Sequence, residues 1–151
     1  MIDGVRVKEL AVIADQRGYL AELLRADDPD HVKFGQVYLS VTYPQVVKAW
    51  HMHMRQHDLV VCLRGMILLA LYDDRDGSPT RGELQEVYLG TQSPRRVRIP
   101  PCVYHGWKCV SPEDAMVVNV ASELYDHQAP DEVRVPPHTG EIPYDWNRHD
   151  G

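Results

Sequence analysis

Lys48-Ala-Trp-His-Met-His-Met-Arg-Gln-His-Asp-Leu-Val-Val-Cys-Leu-Arg-Gly65 is the stretch that decides the fold, because it joins a histidine cluster to an apolar run. In an extended strand successive side chains alternate between the two faces of the sheet. His51 and His53 then share one face, while Trp50 and the neighbouring methionines share the other. The stretch therefore predicts a strand with one polar functional face and one apolar face.

The apolar run after the histidines has the pattern of a β-hairpin. Its two arms are Leu59 to Leu63 and Met66 to Tyr72, joined at Arg64-Gly65. The second arm is apolar on both faces and needs cover on both sides. In a small chain the second cover can come from another subunit, so we expect a homodimer.

Short segments rich in Val, Leu, Ile and Tyr recur along the chain, bounded by Gly, Pro and Asp. This pattern favours an all-β sandwich or barrel, and no long stretch has a helical period. The predicted strands are Val5 to Ala11, Gly18 to Leu24, Gln36 to Tyr43, Ala49 to Met54, Leu59 to Leu63, Met66 to Asp73, Glu83 to Leu89, Arg95 to Ile99, His105 to Cys109 and Met116 to Ser122.

The length of 151 residues fits a single domain, with the proline-rich segment 130–151 packed on it as a tail. The net charge of -6 argues against a protein that binds nucleic acid or an anionic membrane. Three cysteines without CxxC spacing indicate a reducing compartment. Because we find neither a signal-peptide core nor an apolar run of membrane-spanning length, we expect a cytoplasmic protein.

Four histidines predict a possible metal site spread over two strands. His51, His53 and His57 are followed by His105 in Pro100-Pro-Cys-Val-Tyr-His105, and imidazoles at such short spacing can converge on one divalent transition metal. The pattern also resembles that of the metal-binding cupins, which combine an HxH motif with a PxGxxH segment. The competing explanation is that His53 or His57 forms hydrogen bonds within the strand pair or faces solvent.

A second set of motifs occurs in a fixed order across residues 12–146. The motifs are Asp15-Gln-Arg-Gly-Tyr-Leu-Ala-Glu22, Phe34-Gly-Gln36, Lys48-Ala-Trp-His51, Leu63-Arg-Gly65, Asp73-Asp-Arg75 with Ser78-Pro-Thr80, Ile99-Pro-Pro-Cys-Val-Tyr-His-Gly-Trp107, and Ser122-Glu-Leu-Tyr125. Together they resemble the dTDP-4-dehydrorhamnose 3,5-epimerase family. The resemblance implies a cupin-type jelly-roll fold and a cofactor-free epimerase or isomerase of deoxysugar biosynthesis, acting on a nucleotide-linked 4-keto-6-deoxy sugar.

The resemblance also implies catalytic roles. His51 would remove the proton next to the 4-keto group, at carbon 3, carbon 5 or both, a task that suits imidazole. Tyr125 would return a proton from the opposite face. His105 would line the sugar pocket and help to stabilise the enolate oxygen.

Four more residues would bind the substrate according to the same resemblance. Arg17, Lys48 and Gln36 would hold the diphosphate, since this anion needs fixed donors. Glu22 would contact the nucleoside or the sugar.

Two positions depart from the family pattern. The family has a lysine just before the strand that begins at Leu59, where it stabilises the enolate, and this chain has Asp58. The family also pairs its basic histidine with a carboxylate, for which Glu141 and Asp145 are the candidates here. Three functions therefore stay open: a single or double epimerase or related isomerase, a metal-dependent cupin, and a catalytically inactive sugar-nucleotide binding protein.

Overall fold

The computed structural model describes residues 1–147, which form twelve β-strands. Ten strands make two antiparallel five-stranded sheets that pack on each other, and two make a separate hairpin. The strands are β1 Arg6–Glu9, β2 Val12–Asp15, β3 Gly18–Ala21, β4 Gln36–Thr42, β5 Val47–Met52, β6 Asp58–Arg64, β7 Met66–Asp73, β8 Leu84–Gly90, β9 Arg95–Ile99, β10 Val103–Cys109, β11 Ala115–Ala121 and β12 Val133–Arg134. The predicted all-β sandwich is confirmed. Residues 1–147 include no helix long and apolar enough to cross a membrane.

The core lies between the two sheets. The first sheet has the order β1-β9-β6-β11-β4, and the second has the order β12-β5-β10-β7-β8. Alternate residues of the central strands point inward from both sheets, as the period of a strand requires. The fully buried side chains include Val60, Val97, Val117, Ile67, Leu69 and Leu71. Burial of each such side chain stabilises the fold by about 1.5–3 kcal/mol.

The predicted hairpin between β6 and β7 is wrong, because these strands lie in different sheets. The chain turns at Gly65, which has a φ of 68°, and passes from one sheet to the other. Both arms are apolar because they meet across the core, where Val60 of β6 and Leu69 of β7 belong to one cluster. Two strands that pair side by side in one sheet can show the same apolar pattern. The sequence alone therefore did not distinguish the two arrangements.

The outer face of β7 is covered by the C-terminal segment of the same chain. Ala70 packs there with Trp50, Ile142 and Trp146 in a second apolar cluster. The ring centroids of Trp50 and Trp146 are 5.0 Å apart. The second cover that β7 needs is therefore internal, so this strand gives no support for a homodimer, which stays a prediction.

The C-terminal segment also joins the second sheet as a strand that the sequence did not predict. β12 pairs with β5, and the backbones of Trp50 and Val135 exchange two hydrogen bonds, of 2.7 and 3.1 Å. The other unpredicted strand is β2, whose four residues are all exposed. The final positions of the predicted tail, 148–151, lie outside the described residues.

Replacing Trp50 by Ala removes the centre of the second apolar cluster. We expect the free energy of unfolding to fall by about 3–5 kcal/mol, because the variant loses buried apolar area and leaves a cavity. Chemical denaturation followed by fluorescence and circular dichroism measures the change.

The matched control is Tyr43→Ala, since Tyr43 is 67% exposed. This aromatic substitution should change the free energy of unfolding by no more than about 0.5 kcal/mol. Equal losses in the two variants would show that the C-terminal cover contributes nothing to stability.

Candidate active site

A cavity of about 460 Å³ lies between the two sheets. Strands β4, β6 and β11 line it from the first sheet, and β5, β10 and β12 line it from the second. Of the seven side chains predicted for the site, five line this cavity: Gln36, Lys48, His51, His105 and Tyr125. Residues distant in the sequence thus meet at one place.

An irregularity in β5 aims two of these side chains into the cavity. His51 pairs with His105 and Lys48 pairs with Trp107, so three steps along β5 match two along β10. An extra residue of this kind is a β-bulge, which re-aims side chains. Lys48 and His51 therefore share the cavity face, although strict alternation would separate them. His53 also lines the cavity, while Trp50 is buried in the apolar cluster on the outer face, as predicted.

His51 faces a carboxylate across the cavity wall. Its Nε2 atom is 4.0 Å from Oε1 of Glu132, whose other oxygen accepts a 2.9 Å hydrogen bond from Arg134 Nε. The β12–β5 ladder sets this contact, because Arg134 pairs with His51. Neither Glu141 nor Asp145 lines the cavity in the described structure, so Glu132 replaces them as the carboxylate beside His51.

His51 is electrically neutral at neutral pH. Burial and the nearby His105 lower its pKa from 6.5 to about 4, and the charge of Glu132 opposes part of that shift. A neutral imidazole retains a lone pair that can accept a proton. The site thus holds a histidine in the protonation state that a general base requires.

Asp58 is buried beneath the cavity. Its Oδ1 atom accepts hydrogen bonds from Gln56 Nε2 at 2.7 Å and from Asn119 Nδ2 at 2.6 Å. Its Oδ2 atom lies 3.5 Å from His53 Nε2 and 3.6 Å from His105 Nε2. A carboxylate thus stands directly below two histidines that line the cavity.

The structure does not bring the four histidines of the predicted metal set together. His57 lines a separate small cleft with Leu24 and Arg98, outside the cavity that holds the other three histidines. The residues whose ligand atoms approach within 4.8 Å of one another are His53, Asp58 and His105. Among the described residues, these three side chains form a group whose nitrogen and oxygen atoms could serve as metal ligands.

Tyr125 and Lys48 are both held by polar contacts at the cavity. The backbone N–H of Tyr125 donates to Gln36 Oε1 at 3.2 Å. The centroid of its phenol ring lies 4.8 Å from the centroid of the His127 imidazole ring. Lys48 Nζ donates to Ser40 Oγ at 2.8 Å and to the Val41 carbonyl at 2.7 Å. These bonds place a hydroxyl and an ammonium group at the cavity wall.

Arg17 and Glu22 do not line the cavity of the described chain. Arg17 lies in the turn between β2 and β3, where its side chain is 84% exposed and pairs with Asp15. Glu22 follows β3 and pairs with Arg25. Their predicted contact with the substrate thus has no support within a single chain.

Comparison with known proteins places the chain in a family. The model of the family described as dTDP-4-dehydrorhamnose 3,5-epimerase matches residues 1–150. The chain belongs to the dTDP-4-dehydrorhamnose 3,5-epimerase family. The family match confirms the predicted epimerase of nucleotide-linked sugars and does not favour the metal-dependent alternative.

Individual relatives agree with this assignment. The chain is 44% identical over 148 residues to a probable low-salt glycan biosynthesis epimerase of Haloferax volcanii, covering 97% of this chain and 95% of the relative. A dTDP sugar isomerase structure from Desulfovibrio desulfuricans G20 has a TM-score of 0.92 and 33% identity, covering 99% of this chain and 94% of that one. The fold is therefore the cupin-like one of this epimerase family.

A third relative carries a bound sugar nucleotide. It is the Legionella pneumophila dTDP-6-deoxy-D-glucose-3,5-epimerase in complex with dTDP-4-keto-L-rhamnose. The TM-score is 0.84 at 25% identity, and the match covers 96% of this chain and 79% of that one. The shared fold thus accommodates a nucleotide-linked keto sugar in that relative.

Several cavity residues of this epimerase family member were missed by sequence reasoning. They are Tyr38, Asn119, Glu132 and Arg134. Tyr38 could have been found by alternation, because it shares a strand face with the predicted Gln36. Asn119 interrupts the apolar strand β11, and a buried polar residue there requires a partner. For Glu132 the sequence carries no local signal, since its place depends on how β12 pairs.

The carboxylate beside His51 supplies a prediction about titration. Glu132→Gln removes a charge that raises the pKa of His51, so we expect that pKa to fall below about 4. NMR titration with labelled histidine measures it. Glu141→Gln alters an exposed carboxylate outside the cavity and should leave the pKa of His51 unchanged. An unchanged pKa in the Glu132→Gln variant would contradict an electrostatic contact between the two groups.

Proposed function

We propose that this family member epimerises a nucleotide-linked 4-keto-6-deoxy sugar at carbon 3, carbon 5 or both, with His51 as base and Tyr125 as acid. The observation that carries the proposal is a partly buried, neutral His51 beside Glu132 in a cavity that Tyr125 also lines. The dTDP-4-keto-L-rhamnose bound to the Legionella relative supports this class of substrate.

The first step is removal of a proton from carbon. His51 takes the proton on its lone pair, and the electrons of the C–H bond form an enolate with the neighbouring keto group. Glu132 stabilises the imidazolium that results, because a carboxylate at 4.0 Å favours the charged form. The Tyr125 hydroxyl then returns a proton to the opposite face of the carbon, which inverts the centre.

The nucleotide end of the substrate requires cations. Lys48 lines the cavity, and Arg134 adds a guanidinium group to the same wall. Gln36 adds amide hydrogen bonds. We propose that Lys48, Gln36 and Arg134 hold the diphosphate, with the planar fork of Arg134 suited to bidentate contact.

Arg17 and Glu22 are proposed to reach the cavity of a second copy in a homodimer. Arg17 lies in the turn of the β2–β3 hairpin and Glu22 directly follows it. The apolar Ile13, Tyr19 and Leu20 of this hairpin are exposed. β4 is the last strand of its sheet, so one of its edges has no neighbouring strand among the described residues. An exposed apolar hairpin and an open strand edge are both features of association surfaces.

The predicted reducing, cytoplasmic location is kept as part of the proposal. The three cysteines Cys62, Cys102 and Cys109 form no disulfide in the structure that covers residues 1–147. Burial raises the pKa of the Cys62 thiol to about 11. A buried thiol of this kind is unreactive, as expected for a packing residue.

Proton NMR of dTDP-4-keto-6-deoxyglucose in heavy water tests the reaction, with catalytic protein and with or without a chelator. Deuterium should enter carbon 3, carbon 5 or both at equal rates in the two samples. The substituted position shows which centre reacts. Binding of the sugar nucleotide without any exchange would instead establish the inactive binding protein.

Replacing His51 by Asn should slow deuterium exchange by about 10²–10⁴-fold, the usual contribution of a general base. His138→Asn changes an exposed histidine away from the cavity and should leave the rate unchanged. A normal rate in the His51→Asn variant would remove His51 from the mechanism.

The pH profile supplies another test of the base. The pKa of His51 lies at about 4, and only its neutral form accepts a proton. Exchange should therefore rise with pH through about 4 and be fully established well below pH 6.5. An acidic limb that is centred near 6.5 would mean that burial does not tune this base.

A further inference from the structure

Asp58 is a buried carboxylate that takes no part in the reaction described above. Its side chain is 2% exposed and lies where the family pattern has a lysine. An unpaired buried carboxylate is strongly destabilising, so its surroundings must compensate for it. The surroundings consist of two amides on one side and two imidazoles on the other.

The two amides fix the orientation of the carboxylate. Asn119 Oδ1 accepts from the Leu59 N–H at 3.1 Å, so its Nδ2 must be the atom that donates to Asp58 Oδ1. Gln56 Nε2 donates to the same oxygen. The other oxygen, Oδ2, is thereby presented to the histidines.

Backbone carbonyls fix the tautomers of both histidines. His53 Nδ1 bonds to the Asp131 carbonyl, and His105 Nδ1 bonds to the Val103 carbonyl at 3.1 Å. A carbonyl only accepts hydrogen bonds, so each Nδ1 carries a hydrogen and each neutral ring has its lone pair on Nε2. Three acceptor atoms, His53 Nε2, His105 Nε2 and Asp58 Oδ2, therefore converge within 4.8 Å.

Three converging lone pairs repel one another unless a proton or a cation lies among them. We propose that His53, Asp58 and His105 share one proton and donate it to the 4-keto oxygen while His51 removes the proton from carbon. The proposal rests on the function proposed above. The family pattern has a positively charged lysine at the Asp58 position. Here His53 and Asp58 act as an acid in its place.

The geometry allows both transfers within one bound sugar. The rings of His51 and His105 have centroids 6.2 Å apart, and those of His53 and His105 are 5.9 Å apart. The keto oxygen is two bonds from the carbon that loses its proton. A sugar ring whose C–H group meets His51 can thus direct its keto oxygen at the other two histidines.

The step balances in atoms and charge. The C–H bond breaks, its proton joins the lone pair of His51, and its electrons form a carbon–carbon double bond. The carbonyl π electrons move to oxygen, which takes the shared proton, so the intermediate is a neutral enol. Tyr125 then protonates carbon, the enol returns its proton to the His53–Asp58–His105 cluster, and solvent restores the proton of Tyr125 and removes that of His51.

Burial lowers the pKa of His105 and so opposes a proton on that ring. The other two members of the cluster, His53 and Asp58, are left to hold it. Burial also raises the pKa of the Tyr38 phenol, which is therefore uncharged beside Asn119. The other titratable or charged groups around the cluster are His51 and Lys48 on β5, Asp131 and Glu132 before β12, Arg134 on β12, and Tyr125 and His127 in the preceding loop.

Asp58→Asn is the variant that tests the shared proton. Asparagine is isosteric, its oxygen can still accept from Gln56 and Asn119, and its NH₂ group can donate to the imidazole lone pairs. The fold is thus retained while the shared proton is lost. We expect deuterium exchange to slow by about 10²-fold or more, with the affinity for dTDP unchanged.

Histidine NMR provides a readout that needs no substrate. In the wild-type protein, labelled His53 should carry protons on both ring nitrogens, and in Asp58→Asn it should become a neutral ring protonated on Nδ1. The loss of this ring proton should accompany the loss of deuterium exchange in the variant. The control is Asp76→Asn, which changes a side chain that is 92% exposed. It should leave both the exchange rate and the protonation of His53 unchanged.

Three results would overturn the proposal. The first is wild-type exchange in Asp58→Asn, and the second is a neutral His53 in the wild-type protein at neutral pH. The third is exchange that a chelator abolishes, with one metal ion per chain, since a cation would then occupy the place of the proton. If the wild type exchanges no deuterium, the proposed epimerisation itself fails, and the NMR state of His53 still decides whether the cluster holds a proton.

Discussion

The pairing of β5 with β10 is the constraint on which the rest of this molecule depends. One extra residue in β5 turns Lys48 and His51 to the same side, while Trp50 remains on the other. A regular strand would present either the ammonium or the imidazole to the cavity, but not both. The bulge thus places substrate-binding and proton-accepting groups on one rigid element, which is more accurate than placing them on loops.

The chemistry of the cavity is governed by burial more than by ion pairs. Desolvation is the largest influence on the pKa of both His51 and His105, and it keeps both rings neutral. The two carboxylates nearby, Glu132 and Asp58, act in the opposite direction on these rings. His51 and His105 can therefore take different roles because each faces a different carboxylate. Such differences in environment are a common way to tune acids and bases.

Sequence reasoning predicted much of the fold and of the site, and its failures have physical causes. Periodicity located the core strands because burial imposes a period of two on their side chains. It failed for the β6–β7 connection, since apolar arms look alike whether they pair side by side or meet across a core. The motifs placed five of the seven predicted residues at one cavity. They could not place Glu132, whose position depends on a long-range strand pairing.

The segment that covers Trp50 also carries the carboxylate beside His51. Ile142 and Trp146 seal the outer face of the second sheet, and Glu132 reaches His51 at the start of the same segment. Undocking of this segment would expose an apolar surface and remove the partner of the base in a single event. Local unfolding of this segment and loss of the carboxylate beside the base would thereby be coupled.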